Sequence, residues 1–389
     1  MYACVYICRR SVMSRIRNVL GCSSAVCLAA CATPAAVVVP QTYTISQAPA
    51  LSATQMDALV QAAMQRFELP GLSIAFIDDG AIVYERKLGL ADTETDAPIT
   101  PNSVFQVASL SKPVFAYLVM RMADRGVIDL DRPLWEYRPM AGLVHEPNYK
   151  QITARMVLSH RTGFPNWRWF DPIPEGRDIQ RGSMYMKTEP GTFSYSGEGY
   201  NWLAEIVAQE TGRSLLTLDE LFQQEMVAPL NLDNAAFVQT PYIEANAVTG
   251  HIDGKPNYRE WPRSFPEDTP QTFGAAGRLH TDAAIYARFL VALMDGTGLS
   301  QEAQRAMFSK ATDIPVDDNM RKTSGEIGWT LGLSIKQGAS GQYFAHGGSN
   351  GDFKSGFAID PERGDGFVFV TNSDRGDELN AWLEDRFFP

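Results

Sequence analysis

The sequence predicts an α/β fold of the α+β type. One antiparallel sheet is drawn from both ends of the chain, flanked by terminal helices, and a mostly helical lobe is inserted in the middle. Three observations predict it. Strand-like runs cluster in two places, 72–88 and 327–372. A helix pattern precedes the first cluster and another follows the second. The stretch between them, roughly 100–275, is richer in helix patterns and loops, with no internal repeat or low-complexity block. The expected organisation is an α/β lobe of residues 51–100 and 276–389 around a helical lobe of residues 101–275.

Residues 1–31 read as an address rather than a fold. Four arginines (Arg9, Arg10, Arg15, Arg17) precede an apolar stretch from Val19 to Ala30. That stretch is too short to span a bilayer as a helix and has the shape of a secretory signal. Its end, Leu28-Ala29-Ala30-Cys31, resembles a bacterial lipobox, which implies cleavage before Cys31 and lipid on that cysteine. A plain signal with a chance cysteine is the alternative, and Met13 is an alternative start. Ala32 in place of an aspartate suggests outer-membrane sorting, and several acyl chains on one residue would anchor stably. Residues 32–50 lack periodicity and read as a tether.

Ser52 opens the first helix, with Gln55 completing a capping box. Met56, Leu59, Val60 and Ala63 share one face, and Pro70-Gly71 ends the segment. Leu72 to Ile77 and Ala81 to Leu88 read as strands joined through Asp78-Asp79-Gly80, a hairpin signal. At the far end Ile327 to Ile335, Gln342 to His346, Lys354 to Asp360 and Gly366 to Asn372 read as strands. Glu378 to Phe388 reads as the closing helix.

Composition removes several function classes. Of 389 residues, 45% are hydrophobic and 20% charged, which is ordinary for a globular protein. Net charge is −11, but residues 1–31 hold four arginines and no acid, so the remainder carries −15. A field of that sign repels phosphate backbones and makes nucleic acid an unsuitable partner. All five cysteines lie at or before Cys31, so the body can form neither a disulfide nor a thiolate site. The five histidines (145, 160, 251, 280, 346) show no metal-ligand spacing, and His145 and His160 read as structural. No phosphate-binding loop or dinucleotide fingerprint occurs, so no cofactor is expected.

Three short stretches carry chemistry. In Ser109-Leu110-Ser111-Lys112, serine and lysine three apart on a helix lie on one face, so the amine can touch the hydroxyl. Of nine lysines only Lys112 has a serine three residues before it. Pro113 must sit in the first turn, so the helix starts near 109–111 and runs on to Gly126. Tyr195-Ser196-Gly197 follows a turn and precedes a helical stretch, Tyr200 to Thr211. A buried tyrosine beside a lysine cation would have a lowered pKa and could serve as a base. His346-Gly347-Gly348-Ser349 ends a strand. Its two glycines, Gly348 among them, allow close backbone approach, and the Ser349 N–H with that of Ser109 could form an oxyanion hole. Singly, each stretch also fits a plainer account: a capped surface helix, a core tyrosine, a glycine-rich turn.

Together the three resemble the serine β-lactamase and penicillin-recognising family, in its class C, DD-peptidase and family VIII esterase branch. Order and spacing match, and the stretches Ile152-Thr153 through Leu158-Ser159-His160-Arg161-Thr162-Gly163 and Ala275-Ala276-Gly277-Arg278-Leu279 agree. The resemblance covers roughly residues 50–385. It implies a β-lactamase/transpeptidase-like fold, Ser109 as acylated nucleophile, and Lys112 and Tyr195 as proton-transfer partners. It also implies an oxyanion hole from the Ser109 and Ser349 N–H groups, with His346 shaping the substrate-carboxylate side. Which of Lys112 and Tyr195 is the base stays open. One position departs: the second motif usually ends in asparagine, where Gly197 stands here. That puts efficient β-lactam hydrolysis in doubt and leaves esters and small peptides open.

Gly347-Gly348-Ser349-Asn350-Gly351 also matches a nucleophile elbow. That device needs a helix after the serine and a later histidine, whereas a strand pattern follows and no histidine comes after His346. Phe164, Trp167, Trp169 and Phe170 could rim an acyl pocket or belong to the core. The expected function is therefore an envelope-anchored serine hydrolase. Its substrate would be a small ester, an amide such as a D-alanyl peptidoglycan peptide, or a β-lactam, and its membrane contact would be a lipid on Cys31. The alternative is a catalytically degenerate cell-wall-binding lipoprotein of the same fold.

Overall fold

The structure, a computed structural model, describes residues 51–143, 146–259 and 268–389. The signal segment with Cys31, the tether 32–50 and His145 lie outside the described residues. Helix α1 (Ala53–Arg66) starts at the expected capping box: Ser52 Oγ accepts from the Gln55 N–H, and Gln55 Oε1 accepts from the Ser52 N–H. Strands β1 (Gly71–Asp78) and β2 (Ala81–Asp92) pair antiparallel. The turn between them puts Asp79 and Gly80 at φ +48° and +73°, the left-handed pair that matches the twist of a two-residue hairpin.

Seven further strands complete the sheet: β3 (Ala97–Pro98), β4 (Thr312–Asp313), β5 (Gly328–Trp329), β6 (Ser334–Gly338), β7 (Gly341–Ser349), β8 (Lys354–Asp360) and β9 (Asp365–Thr371). Among the described residues the order is β3-β2-β1-β9-β8-β7-β6-β5-β4, antiparallel throughout. The first and last parts of the chain meet at its centre, where Leu72 pairs with Thr371 and Ile77 with Gly366.

The central strands are apolar on both faces because both faces are covered. Leu72, Ile74 and Phe76 pack with Phe367 and Phe369 against α1 and the closing helix, α5 (Gly376–Phe387). Ala75, Ile77, Val368 and Val370 point the other way, into the larger core. That core holds α2 (Ser111–Asp124), α3 (Gly197–Glu210) and α4 (Ala283–Asp295). Phe76 is 1% exposed, with ring centroids 4.8 Å from Phe387 and 5.9 Å from Tyr84. Phe76→Ala is expected to cost about 3–5 kcal/mol, read as a shift in the urea midpoint at unchanged slope.

The inserted region enters and leaves through a two-residue ladder, Phe105 opposite Thr281 and Gln106 opposite His280. One expected strand is corrected. Ile327 to Ile335 is not continuous but forms β5 and β6, a hairpin pairing Trp329 with Ser334. Its turn is closed by the Thr330 N–H on the Leu333 carbonyl and the Leu333 N–H on Thr330 Oγ1. Gly332, at φ +108°, lies against Ala116 of α2. Among the described residues no helix is long and apolar enough to cross a membrane.

Candidate active site

Ser109 sits in a 3-10 turn, Ala108–Leu110, that runs directly into α2. Ala108 holds φ +49°, a conformation an alanine keeps only where its surroundings impose it. Several segments impose it. Ser111 Oγ donates to the Ala108 carbonyl (2.6 Å) and accepts from the Leu279 N–H (2.9 Å). The Tyr286 hydroxyl of α4 donates to the Leu110 carbonyl (2.8 Å), and Ser355 Oγ of β8 to that of Val107 (2.7 Å). The middle serine of the first motif is therefore structural, and the Ala275–Leu279 stretch belongs to the site.

Lys112, one helical turn on, is fully buried. Its Nζ lies 3.1 Å from Ser109 Oγ and donates to the Ala276 carbonyl (2.6 Å). Rings surround it: Tyr195 at 4.9 Å, Tyr200 at 5.8 Å and Trp167 at 5.9 Å from Nζ to centroid. Burial, with no carboxylate partner among the described residues, penalises the ammonium and lowers its pKa to about 7. At neutral pH a large fraction of Lys112 is the free amine, whose lone pair can accept the serine proton.

The Tyr195 hydroxyl lies close enough to Ser109 for the two side chains to interact. The expected lowering of its pKa is corrected. Burial raises it, and the interaction with Ser109 offsets only part of that. Lys112, titrating near pH 7, carries only part of the charge invoked to lower it, and burial dominates, so the phenol keeps its proton. The ring is held by His160, 4.1 Å away between centroids and tilted by 33°. His160 Nδ1 accepts the Ser196 N–H (3.1 Å), and burial keeps the imidazole uncharged. Ser196 caps α3, its Oγ accepting from the Gly199 N–H. The second motif thus contributes one reacting side chain, Tyr195, and one cap.

Strand β7 brings His346 and Gly348 to the same place. Tyr343 and Ala345 face the terminal helices, so the alternating residues His346 and Gly348 face the inserted lobe. His346 is 2% exposed, with its ring 6.2 Å from that of Tyr195. Burial first, then the nearby Lys112, lowers its pKa to about 3, so it is neutral. Its Nδ1 lies 2.7 Å from the Gly347 carbonyl. With the proton there, Nε2 presents a lone pair. Gly348 passes so close to the nucleophile turn that a Cβ would meet Ser355 Oγ, the Val107 carbonyl at 2.7 Å and the Ser109 nitrogen at 3.1 Å. Gly348→Ala is expected to push the strand off the turn. A displacement of about 1 Å can cost on the order of 10²-fold in kcat/KM, measured on protein shown by circular dichroism to be folded. Ser349 ends β7 and is exposed.

The four aromatics separate. Phe164 is core, Phe170 is 71% exposed, and Trp169 packs on Gly182. Only Trp167 reaches Lys112. It also occupies the space beside Gly197, where a Cβ would meet the indole at 2.6–2.9 Å. The 166–171 segment is fixed to the start of α3. Asn166 Oδ1 accepts the Gly197 N–H (2.9 Å), and Asp171 accepts the N–H groups of Asn166 (2.8 Å) and Trp167 (3.2 Å).

A family model described as Beta-lactamase matches residues 56–386. Esterase EstB of Burkholderia gladioli is 29% identical over 249 residues, covering 58% of this chain and 61% of that protein. The chain thus matches less than two thirds of that relative's length. An octameric penicillin-binding protein homologue from Pyrococcus abyssi superposes with TM-score 0.68 at 21% identity, covering 86% of this chain and 76% of that one. A class C β-lactamase superposes at 0.65 and 20% identity, covering 84% and 94%. The fold is that of the β-lactamase/transpeptidase-like proteins.

Proposed function

Because the chain belongs to the beta-lactamase family, we propose that it is a serine hydrolase that forms an acyl-enzyme on Ser109 from an ester or amide. The observation that carries this is the Ser109–Lys112 contact of 3.1 Å, with an amine whose pKa is lowered to about 7. Serine is a poor nucleophile until a base takes its proton. The free amine of Lys112 takes it as Oγ bonds to the substrate carbonyl carbon. The carbonyl electron pair moves onto oxygen, which the Ser109 and Ser349 N–H groups receive. On collapse the bond to the leaving oxygen or nitrogen breaks, and the leaving atom takes a proton from Tyr195, which Lys112 replenishes. Water then attacks the acyl carbon and loses its proton to the same amine; the bond to Ser109 Oγ breaks, Oγ takes that proton back from Lys112, and the acid leaves. His346, neutral, would line the substrate side of β7. A lipid on Cys31 would hold the enzyme at the periplasmic face of the envelope.

The test is a fluorophosphonate probe on the soluble form, residues 40–389, followed by mass mapping of the modified peptide. Labelling of Ser109 together with turnover of a p-nitrophenyl ester is the expected result. Folded protein with an unlabelled Ser109 would favour the degenerate, wall-binding alternative. A chromogenic cephalosporin run in parallel separates an esterase from a β-lactamase.

A further inference from the structure

We propose that the indole of Trp167 is the acyl-binding wall of this site, and that it selects esters whose acyl group is apolar and several carbons long. The proposal rests on the acyl-enzyme reading above. Ser109 Oγ and Lys112 Nζ are 3.1 Å apart, and the same Nζ lies 5.9 Å from the Trp167 ring centre. A chain of a few carbons bound to Oγ therefore reaches the indole. Two of the aromatic neighbours of Lys112, Tyr195 and Trp167, differ in chemistry. Tyr195 carries a hydroxyl close to Ser109, and a departing alkoxide needs that proton source. Trp167 offers a flat apolar surface. The leaving group accordingly goes to the tyrosine side, and the acyl group is left the indole.

The wall is fixed in place and offers little to a polar acyl group. Trp167 is only partly covered and packs on the main core. The acceptor oxygens at its edge are already engaged. Asn166 Oδ1 takes the Gly197 N–H, the Asp171 carboxylate takes two backbone N–H groups, and Glu198 takes the Arg168 N–H (2.9 Å). Position 197 has no side chain and no room for one, because the indole fills it. An acyl group bearing an amide would bring an N–H whose nearby acceptors are already taken, which a site rejects strongly. An alkyl or phenyl group would bury apolar area there, gaining with each methylene.

The experiment compares two series of esters on the soluble enzyme, with Ser109→Ala as blank. One series varies the acyl group from acetate to hexanoate with p-nitrophenol as leaving group. The other fixes butyrate and varies the alcohol. In Trp167→Ala the hexanoate-to-acetate ratio of kcat/KM is expected to fall at least tenfold, with the alcohol series shifting less than threefold. Trp167→Phe, which keeps an aromatic face, should recover most of the ratio. Gly197→Ala, whose methyl displaces the indole, should lower it even if Trp167→Ala does not fold. An unchanged acyl ratio in these variants overturns the proposal, as does a loss that follows the alcohol series. If wild type and Ser109→Ala are indistinguishable on every ester, the acyl-enzyme reading itself has failed, a result distinct from either.

Discussion

Ser109→Ala is expected to reduce ester turnover to the buffer blank, a loss on the order of 10⁶ in kcat if the serine is the nucleophile. The alanine removes only Oγ. Val107, Leu110 and Ser111 keep the bonds that hold the turn, so the fold and its unfolding midpoint should change little. Two readouts check this together: kcat on a p-nitrophenyl ester, and mass mapping after fluorophosphonate treatment. Residual turnover within about a hundredfold of wild type, or a phosphonate adduct elsewhere, would move the nucleophile to another residue.

Lys112→Ala comes second in size. Removing a positioned base slows proton transfer by about 10²–10⁴, and here the loss should fall on acylation, read by stopped-flow release of p-nitrophenol. The pH profile makes the test specific. An amine is a base only when unprotonated, and Lys112 titrates near pH 7 rather than at the 10.5 of a solvated lysine. In wild type, kcat/KM should therefore rise about tenfold per pH unit below 7 and level off above it. In Lys112→Ala that limb should vanish, with the residual rate following hydroxide instead. Lys112→Arg should be as slow as the alanine variant, because a guanidinium keeps its proton. A wild-type profile flat from pH 5 to 9 would remove the lysine from the proton transfer.

Much of the scaffold was legible because its strands are long and apolar on both faces. Leu72 to Ile77, Lys354 to Asp360 and all of Gly366 to Asn372 but its last residue lie in strands of the sheet. The break after Trp329 was not, since the turn at 330–333 is set by its contact with α2, a neighbour more than 200 residues away. Spacing alone placed Ser109 beside Lys112. It did not give the lysine its lowered pKa, which comes from rings at 167, 195 and 200 closing over one amine. The same closure inverted the expectation for Tyr195, since desolvation raises a phenol just as it lowers an ammonium. Gly197 was visible as a missing side chain. That Trp167 fills the space follows from a docked segment that no periodicity announces. His160, taken as structural, is the plate on which Tyr195 rests.

The joining of β1 to β9 also fixes the timing of folding. Gly71 and Thr371, bonded to each other across that seam, are 300 residues apart in sequence. A ribosome must synthesise almost the whole chain before the centre of the sheet can close, and the loop it closes is among the longest the chain allows. Helix α3 of the insert bonds Leu158 and Arg138, nearer in sequence, and can form earlier. Until β9 arrives, β1 and β2 are a two-stranded hairpin with an open apolar edge, the kind of surface on which chains associate wrongly. Pulse-labelled amide exchange during refolding should find the β1 amides protected in the slowest phase, and protection of β1 ahead of α3 would refute that order.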